Sequence, residues 1–277
     1  MAWLSKNYIQ SVMFHPPQPL MRYPPEGPVC GGTLKKEDDV LHLTPLARSL
    51  YAQSGVPCFV VDHASPRLAV IYFHGNNENL ITMRNFLVDL GEALQATVYS
   101  FEYQGYFHDE TGTKPSEQGC YLNAEKFYAA VRTTTDLPVV LFGYSMGCAV
   151  ALHTAQVHRN DALPLVLVLL APFVSAASVE LARSGGMLTL SPLWSLFDVF
   201  VMKYDAIHQG RPTFVAAGGN DKVIPAFHAE AIAAYAGRHG KMRYLFLPEA
   251  THANIRGYAE VYEDILDFLT VLQVGHA

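Results

Sequence analysis

The sequence predicts an α/β fold in three layers, α/β/α, with a mostly parallel central sheet and a short cap insertion. Three observations predict it. Apolar runs with no polar face alternate with stretches of helical period. Half of the 277 residues are hydrophobic and only 16% are charged, enough apolar material for a large core. A Gly-x-Ser-x-Gly turn stands between one apolar run and one helical stretch. We read residues 38–277 as a single domain, with 172–212 as its cap or insertion.

Taken in order, residues 1–37 are rich in proline and glycine and read as an extended arm, because proline fixes φ and removes a donor. Residues 38–62 read as short strands pairing as an antiparallel start to a sheet. Leu68 to Phe73 is apolar at every position, as a central parallel strand requires, and stops at His74-Gly75-Asn76. Leu80, Met83, Phe86, Leu87, Leu90 and Leu94 then recur at helical spacing. Ala96 to Phe101 is the next strand. Ser116 is the N-cap of a helix running to about Thr133. Pro138 to Phe142 forms a strand, and Met146 to about His158 a helix. Leu165–Leu170, Thr213–Ala217 and Arg243–Leu247 are further strands, the last two followed by helices near 226–238 and 256–273. Strands alternating with helices of about 10 to 16 residues imply a parallel sheet covered on both faces. Only 172–212 breaks the alternation.

Composition excludes several function classes. The formal net charge is −6 and no basic run appears, which argues against a nucleic-acid partner. Twelve histidines are scattered with no His/Cys cluster at ligand spacing, so we expect no metal and no cofactor. Cys30, Cys58, Cys120 and Cys148 form no C-x-x-C pair and read as free thiols of a reducing compartment, hence a cytoplasmic protein. The start lacks a basic stretch leading into an apolar core, so no signal peptide is expected. The longest apolar run, Leu163 to Val174, is interrupted by Pro164 and Pro172 and is too short to span a bilayer. A peripheral membrane association through partners or acylation stays open, as does the oligomeric state.

The chemistry starts at Gly143-Tyr144-Ser145-Met146-Gly147. This motif is common by chance, but a strand before it and a helix after it make the setting of a nucleophile elbow. The turn forces Ser145 into a strained backbone. Gly143 and Gly147 allow strand and helix to approach closely, and the helix N-terminus adds a positive field for an oxyanion. A serine nucleophile needs a base, and the base an orienting acid, expected at later strand ends in the order Ser, acid, His. Asp221 follows the strand at 213–217, and His252 follows the strand at 243–247. Glu180 lies further from its strand end, Asn220 cannot serve as the acid, and His228 and His239 fall on or beside a helix. The oxyanion hole is expected from the backbone N–H groups of Met146 and Asn76, with Gly75 turning the second toward the site.

These residues carry a resemblance. The chain resembles α/β-hydrolase-domain proteins of the groups numbered 13 and 17, and the Bem46-like proteins. The matching stretches are Phe73-His74-Gly75-Asn76, Tyr103-Gln104-Gly105-Tyr106, Pro115-Ser116-Glu117, the elbow, Asn220-Asp221-Lys222-Val223-Ile224 and Thr251-His252-Ala253-Asn254. Phe14-His15-Pro16-Pro17-Gln18-Pro19 is similar to the proline-rich lead-in of the group numbered 17. The resemblance implies a Ser145–His252–Asp221 triad in a cytosolic-facing serine hydrolase of acyl esters or thioesters. For the group numbered 17 it implies protein depalmitoylation. Two stretches depart from it. The first 29 residues hold no cysteine, where that group has a cysteine-rich acylated N-terminus. Phe107-His108-Asp109 replaces a small, Ser-containing stretch.

The expected substrate is a small molecule or acylated group with an apolar part, met by the apolar residues of 172–212: Phe173, Leu188, Leu190, Trp194, Leu196, Phe197, Val199, Phe200 and Met202. The same residues would also suit a helix packed on the sheet. Two rival functions share the motifs: a serine peptidase of the same fold, and a non-catalytic binding protein on a hydrolase scaffold.

Overall fold

The computed structural model describes residues 14–18, 20, 29–30, 40–41, 43–108, 112–161, 165–183, 198–202, 204–208 and 210–275. Seven strands form the main sheet: β3 (Cys58–Val61), β4 (Leu68–Phe73), β5 (Ala96–Phe101), β6 (Val139–Tyr144), β7 (Leu165–Leu170), β8 (Thr213–Gly218) and β9 (Met242–Leu247). Their spatial order is β3-β5-β4-β6-β7-β8-β9. Only β3 runs antiparallel, pairing Cys58 with Phe101; every other pairing is parallel. A separate two-stranded ladder pairs β1 (Val29–Cys30) with β2 (Val40–Leu41).

Every residue of β4, β5, β6, β7 and β8 is buried. That is why these strands read as largely apolar on both faces, with Thr97, Ser100 and Thr213 as buried polar exceptions: helices cover both faces. The edge strand β9 is only partly buried and retains Arg243. The helices are α1 (Pro45–Ser54), α2 (Leu80–Leu94), α3 (Glu117–Arg132), α4 (Met146–Val157), α5 (Ala176–Arg183), α6 (Tyr204–His208), α7 (Phe227–His239) and α8 (Ala259–Val271). Asn79 and Thr82 close a capping box at the start of α2. Ser116 caps α3 through the N–H of Gly119, as its position in the sequence predicts.

One segment departs from the sequence reading. Residues 38–62 were expected as paired strands, yet α1 occupies Pro45–Ser54. Its signals are local: Thr44 accepts from the N–H of Ala47, Pro45 opens the first turn, and Gly55 closes the helix at φ 68°. Ala47 and Leu50, three apart, face the core. Among the described residues of this segment, strand structure survives at β2 and β3, whose partners are β1 and β5.

Much of the expected arm and cap lies outside the described residues, including 184–197 with Leu188, Leu190, Trp194, Leu196 and Phe197. Of the apolar residues expected to meet the substrate, Phe173, Val199, Phe200 and Met202 are described, and these four are buried. Glu117 on α3 accepts from the N–H of Phe200 at 2.7 Å, tying this segment to the main body. Phe14 of the arm is buried too, edge-on to Phe200 and Tyr106. No helix among the described residues is long and apolar enough to cross a membrane.

Candidate active site

Strand β6 ends at Tyr144 and α4 begins at Met146, leaving one residue for the turn. Ser145 has φ 54° and ψ −122°, a conformation costly for a residue with a Cβ. The flanking glycines explain how the chain tolerates so sharp a reversal. A Cβ on Gly147 would lie 1.9 Å from the carbonyl oxygen of Phe73, and one on Gly143 would lie 2.6 Å from Cα of Cys148. Removing both side chains lets β4, β6 and α4 meet at van der Waals distance. The Ser145 N–H donates to the Leu170 carbonyl at 2.9 Å, which fixes the turn against β7.

The loops after β8 and β9 bring two more side chains to this point. His252 Nε2 is 3.1 Å from Ser145 Oγ, and His252 Nδ1 is 2.7 Å from Asp221 Oδ2. The other carboxylate oxygen of Asp221 accepts the N–H groups of Val223 at 2.8 Å and Ile224 at 2.7 Å. With those bonds made, the buried Asp221 has one direction left in which to accept, and His252 stands there. The His252 carbonyl accepts from the Tyr144 hydroxyl at 2.6 Å, and the two rings lie 5.2 Å apart. Glu180 is an exposed residue of α5, and His228 and His239 belong to α7. Burial pulls the His228 imidazole down to about 4.

Met146 opens α4, so its N–H has no carbonyl four residues back within that helix. Asn76 sits in the loop after β4, whose end Gly147 allows against the elbow. The Asn76 side chain is spent on anchoring: Oδ1 accepts from the Tyr106 hydroxyl at 2.6 Å and from the His15 N–H at 2.9 Å. Its backbone is thereby held from two directions, one of them the N-terminal arm.

Beneath this loop lies a pair that the sequence reading did not single out. His74 and Glu102 are fully buried, with Nε2 and Oε2 3.8 Å apart. Burial pushes the Glu102 carboxyl up to about 8, and its other oxygen accepts the N–H of Leu80 at 2.6 Å. Burial pulls His74 down to about 4, and its Nδ1 donates to the Gly75 carbonyl at 2.8 Å. Burial thus disfavours the charged form of both groups, despite their opposite nominal charges. Nor did the sequence single out Glu78 and Arg256, which pair beside Gly75 and Tyr144. Among the described residues no group of His, Cys, Asp or Glu could hold a metal ion.

The fold is that of known proteins. A solved esterase of Pyrococcus furiosus superposes with a TM-score of 0.59 at 14% identity, over 78% of this chain and 85% of that one. The chain has the α/β-hydrolase fold. Residues 64–197 match the family described as serine aminopeptidase, S33. It is similar to alpha/beta hydrolase domain-containing protein 17C of Xenopus tropicalis, 26% identical over 76% of this chain and 64% of that one. It is also similar to alpha/beta hydrolase domain-containing protein aho-3 of Caenorhabditis elegans, 29% identical over 72% of this chain and 57% of that one. The chain thus spans less than two thirds of the length of these two relatives.

Proposed function

We propose that this α/β-hydrolase cleaves an acyl ester or thioester through a covalent acyl-enzyme on Ser145. The observation that carries the reading is the relay of 3.1 Å from Ser145 Oγ to His252 Nε2 and 2.7 Å from His252 Nδ1 to Asp221. His252 Nε2 takes the Ser145 proton as Oγ attacks the acyl carbonyl. The oxyanion is met by the N–H groups of Met146 and Asn76. His252 then returns the proton to the leaving alcohol or thiol, and the C–O or C–S bond breaks. Water, deprotonated by the same imidazole, releases the acid and restores Ser145. Asp221 holds the Nδ1–H tautomer and stabilises the imidazolium. The chemistry needs no cofactor. The buried aromatic residues Phe14, Tyr106 and Phe200 beside the Asn76 loop support an acylated or small substrate with an apolar group. The reading keeps the protein cytoplasmic, with peripheral membrane contact as one route to an acylated partner.

The match to a family described as serine aminopeptidase supports a second reading, a peptidase acting on amides with the same residues. A fluorophosphonate probe should label the wild type and leave Ser145→Ala unlabelled; equal labelling of both would remove Ser145 from its role. A panel of p-nitrophenyl esters of rising chain length, acyl thioesters and peptide amides then separates the two readings. Hydrolysis of amides alone would favour the peptidase. A wild type inert to probe and panel would favour a binding protein.

A further inference from the structure

Three backbone pieces must stay in register for the proposed reaction: the elbow, the loop after β4 and the loop bearing His252. One buried ion pair touches all three. The guanidinium of Arg256 donates through Nη2 to Glu78 Oε1. The second oxygen of Glu78 accepts the N–H of Gly75 at 2.6 Å, one residue before Asn76. Arg256 Nη1 donates to the hydroxyl of the buried Tyr72 on β4 at 2.9 Å. The guanidinium carbon lies 4.1 Å above the ring of Tyr144 and 4.7 Å above that of Phe86. Tyr144 immediately precedes Ser145, and its hydroxyl holds the His252 carbonyl. Arg256 is itself four residues beyond His252, in the 3₁₀ turn Ile255–Gly257, and its carbonyl accepts from Tyr262 on α8. Gly75 is held tightly from both sides: an added Cβ would lie 3.0 Å from the Tyr144 ring and 3.1 Å from Glu78.

We infer that the Glu78–Arg256 pair is a positioning clasp that sets the Asn76 N–H in place relative to Ser145 and His252. The inference rests on the serine-hydrolase reading and deepens it. Both side chains are largely buried, at 13% and 17% exposure. Two charges so placed lose hydration that their mutual attraction only partly returns, and apolar replacements are often as stable. Stability alone is thus a weak reason for the pair. Its geometry supplies a stronger one, since Arg256 can fork between Glu78 and Tyr72 while its flat face lies on Tyr144, a combination lysine cannot reproduce. Neither residue touches the reacting atoms. Each acts through a neighbour: Glu78 through the N–H of Gly75, Arg256 through the Tyr144 ring and the loop of His252.

The test uses the full chain, with Glu78→Gln, Arg256→Met, Arg256→Lys and the double variant Glu78→Gln/Arg256→Met. Glutamine can still accept the Gly75 N–H, but its amide cannot satisfy the guanidinium as a carboxylate does. Readouts are kcat and KM on a short p-nitrophenyl ester, the second-order rate of fluorophosphonate labelling, and the melting temperature. Misplacing the oxyanion donor by a fraction of an ångström should lower kcat and labelling rate about 10- to 100-fold with KM held within about threefold. Arg256→Lys should fall between wild type and Arg256→Met. The double variant should be no slower than the worse single variant, because both break one coupled unit. Wild-type kcat and labelling in Glu78→Gln and Arg256→Lys, with only the melting temperature lowered, would overturn the clasp. If Arg256→Met does not fold, those two variants decide the question. A wild type that the probe does not label would overturn the hydrolase reading and the clasp with it, an outcome distinct from a labelled wild type with equally labelled variants.

Discussion

Replacing Asp221 by asparagine changes one oxygen to an amide nitrogen, and the structure dictates which way the amide must face. Asp221 Oδ1 accepts two backbone N–H groups, from Val223 and Ile224, at 2.8 and 2.7 Å. Pointing the new NH₂ at them would set donor against two donors, leaving them unpaired at about 1–3 kcal/mol each. The amide oxygen therefore stays on Val223 and Ile224, and the NH₂ faces His252 Nδ1. That contact requires Nδ1 to accept, so the ring proton moves to Nε2, the nitrogen 3.1 Å from Ser145 Oγ. His252 then offers Ser145 a proton instead of taking one. Reversing the amide or the tautomer costs at least about 2 kcal/mol, a floor of about 30-fold in kcat at 1.36 kcal/mol per factor of ten. Losing the carboxylate beside the developing imidazolium extends the loss to about 10⁴-fold. Since two of its three hydrogen bonds survive, Asp221→Asn should keep the fold, with a melting temperature within several degrees of wild type. Single-turnover acylation with a p-nitrophenyl ester measures the step itself. A folded Asp221→Asn enzyme whose acylation is slowed less than tenfold would refute the role of Asp221 as the orienting acid.

Two further perturbations test the surroundings. Gly147→Ala should abolish probe labelling and strongly destabilise the chain, because its Cβ would stand 1.9 Å from the backbone oxygen of Phe73, where no rotamer gives relief; a variant that melts and labels like wild type would contradict the close approach of β4 to the elbow. Glu102→Gln tests the buried pair beneath the loop. Burial raises the Glu102 carboxyl from 4.5 to about 8 in the folded chain, so the unfolded chain releases its proton first and wild-type stability falls as pH rises from 4.5 through 8. Glutamine has no such proton, so urea unfolding should show Glu102→Gln gaining on wild type with rising pH, by up to about 5 kcal/mol above pH 8. Parallel pH profiles of the two proteins would contradict the raised carboxyl.

The sequence was legible where burial on both faces left a continuous apolar run. Leu68–Phe73 and Leu165–Leu170 are strands over the same residues that the apolar runs predict. The helix at Pro45–Ser54 was not read, although Thr44, Pro45 and Gly55 mark its ends, because only Ala47 and Leu50 of its residues are fully buried and its period is faint. At the site, Ser145, Asp221 and His252 each follow a strand end, so chain order alone brings them into consideration together. The parts that hold them follow no such rule. Glu78 and Arg256 are 178 residues apart, and His15 and Asn76 are 61 apart. No local pattern distinguishes Glu78 and Arg256 from ordinary surface residues until the sheet brings them together.

The distribution of unfavourable features around the loop after β4 bears on function independently of any motif. Ser145 has a positive φ that its neighbours must enforce. Glu78 and Arg256 form an ion pair largely withdrawn from water. His74 and Glu102 are buried polar groups whose facing atoms, 3.8 Å apart, have no hydrogen bond. A chain shaped by stability alone would replace each of these at little cost, with a relaxed turn and apolar side chains. Other non-glycine residues of positive φ do occur, but Gln95 is the C-cap of α2, a role that left-handed backbone serves in many helices. What sets the elbow region apart is that strain, buried charge and unmet polar atoms converge on the backbone between Phe73 and Glu78. Locally unfavourable choices gathered at one place are expected where geometry is held for chemistry. That convergence also explains why the clasp and the relay should fail separately: in the proposed reaction the relay would move the proton, and the clasp would fix where the resulting charge is received.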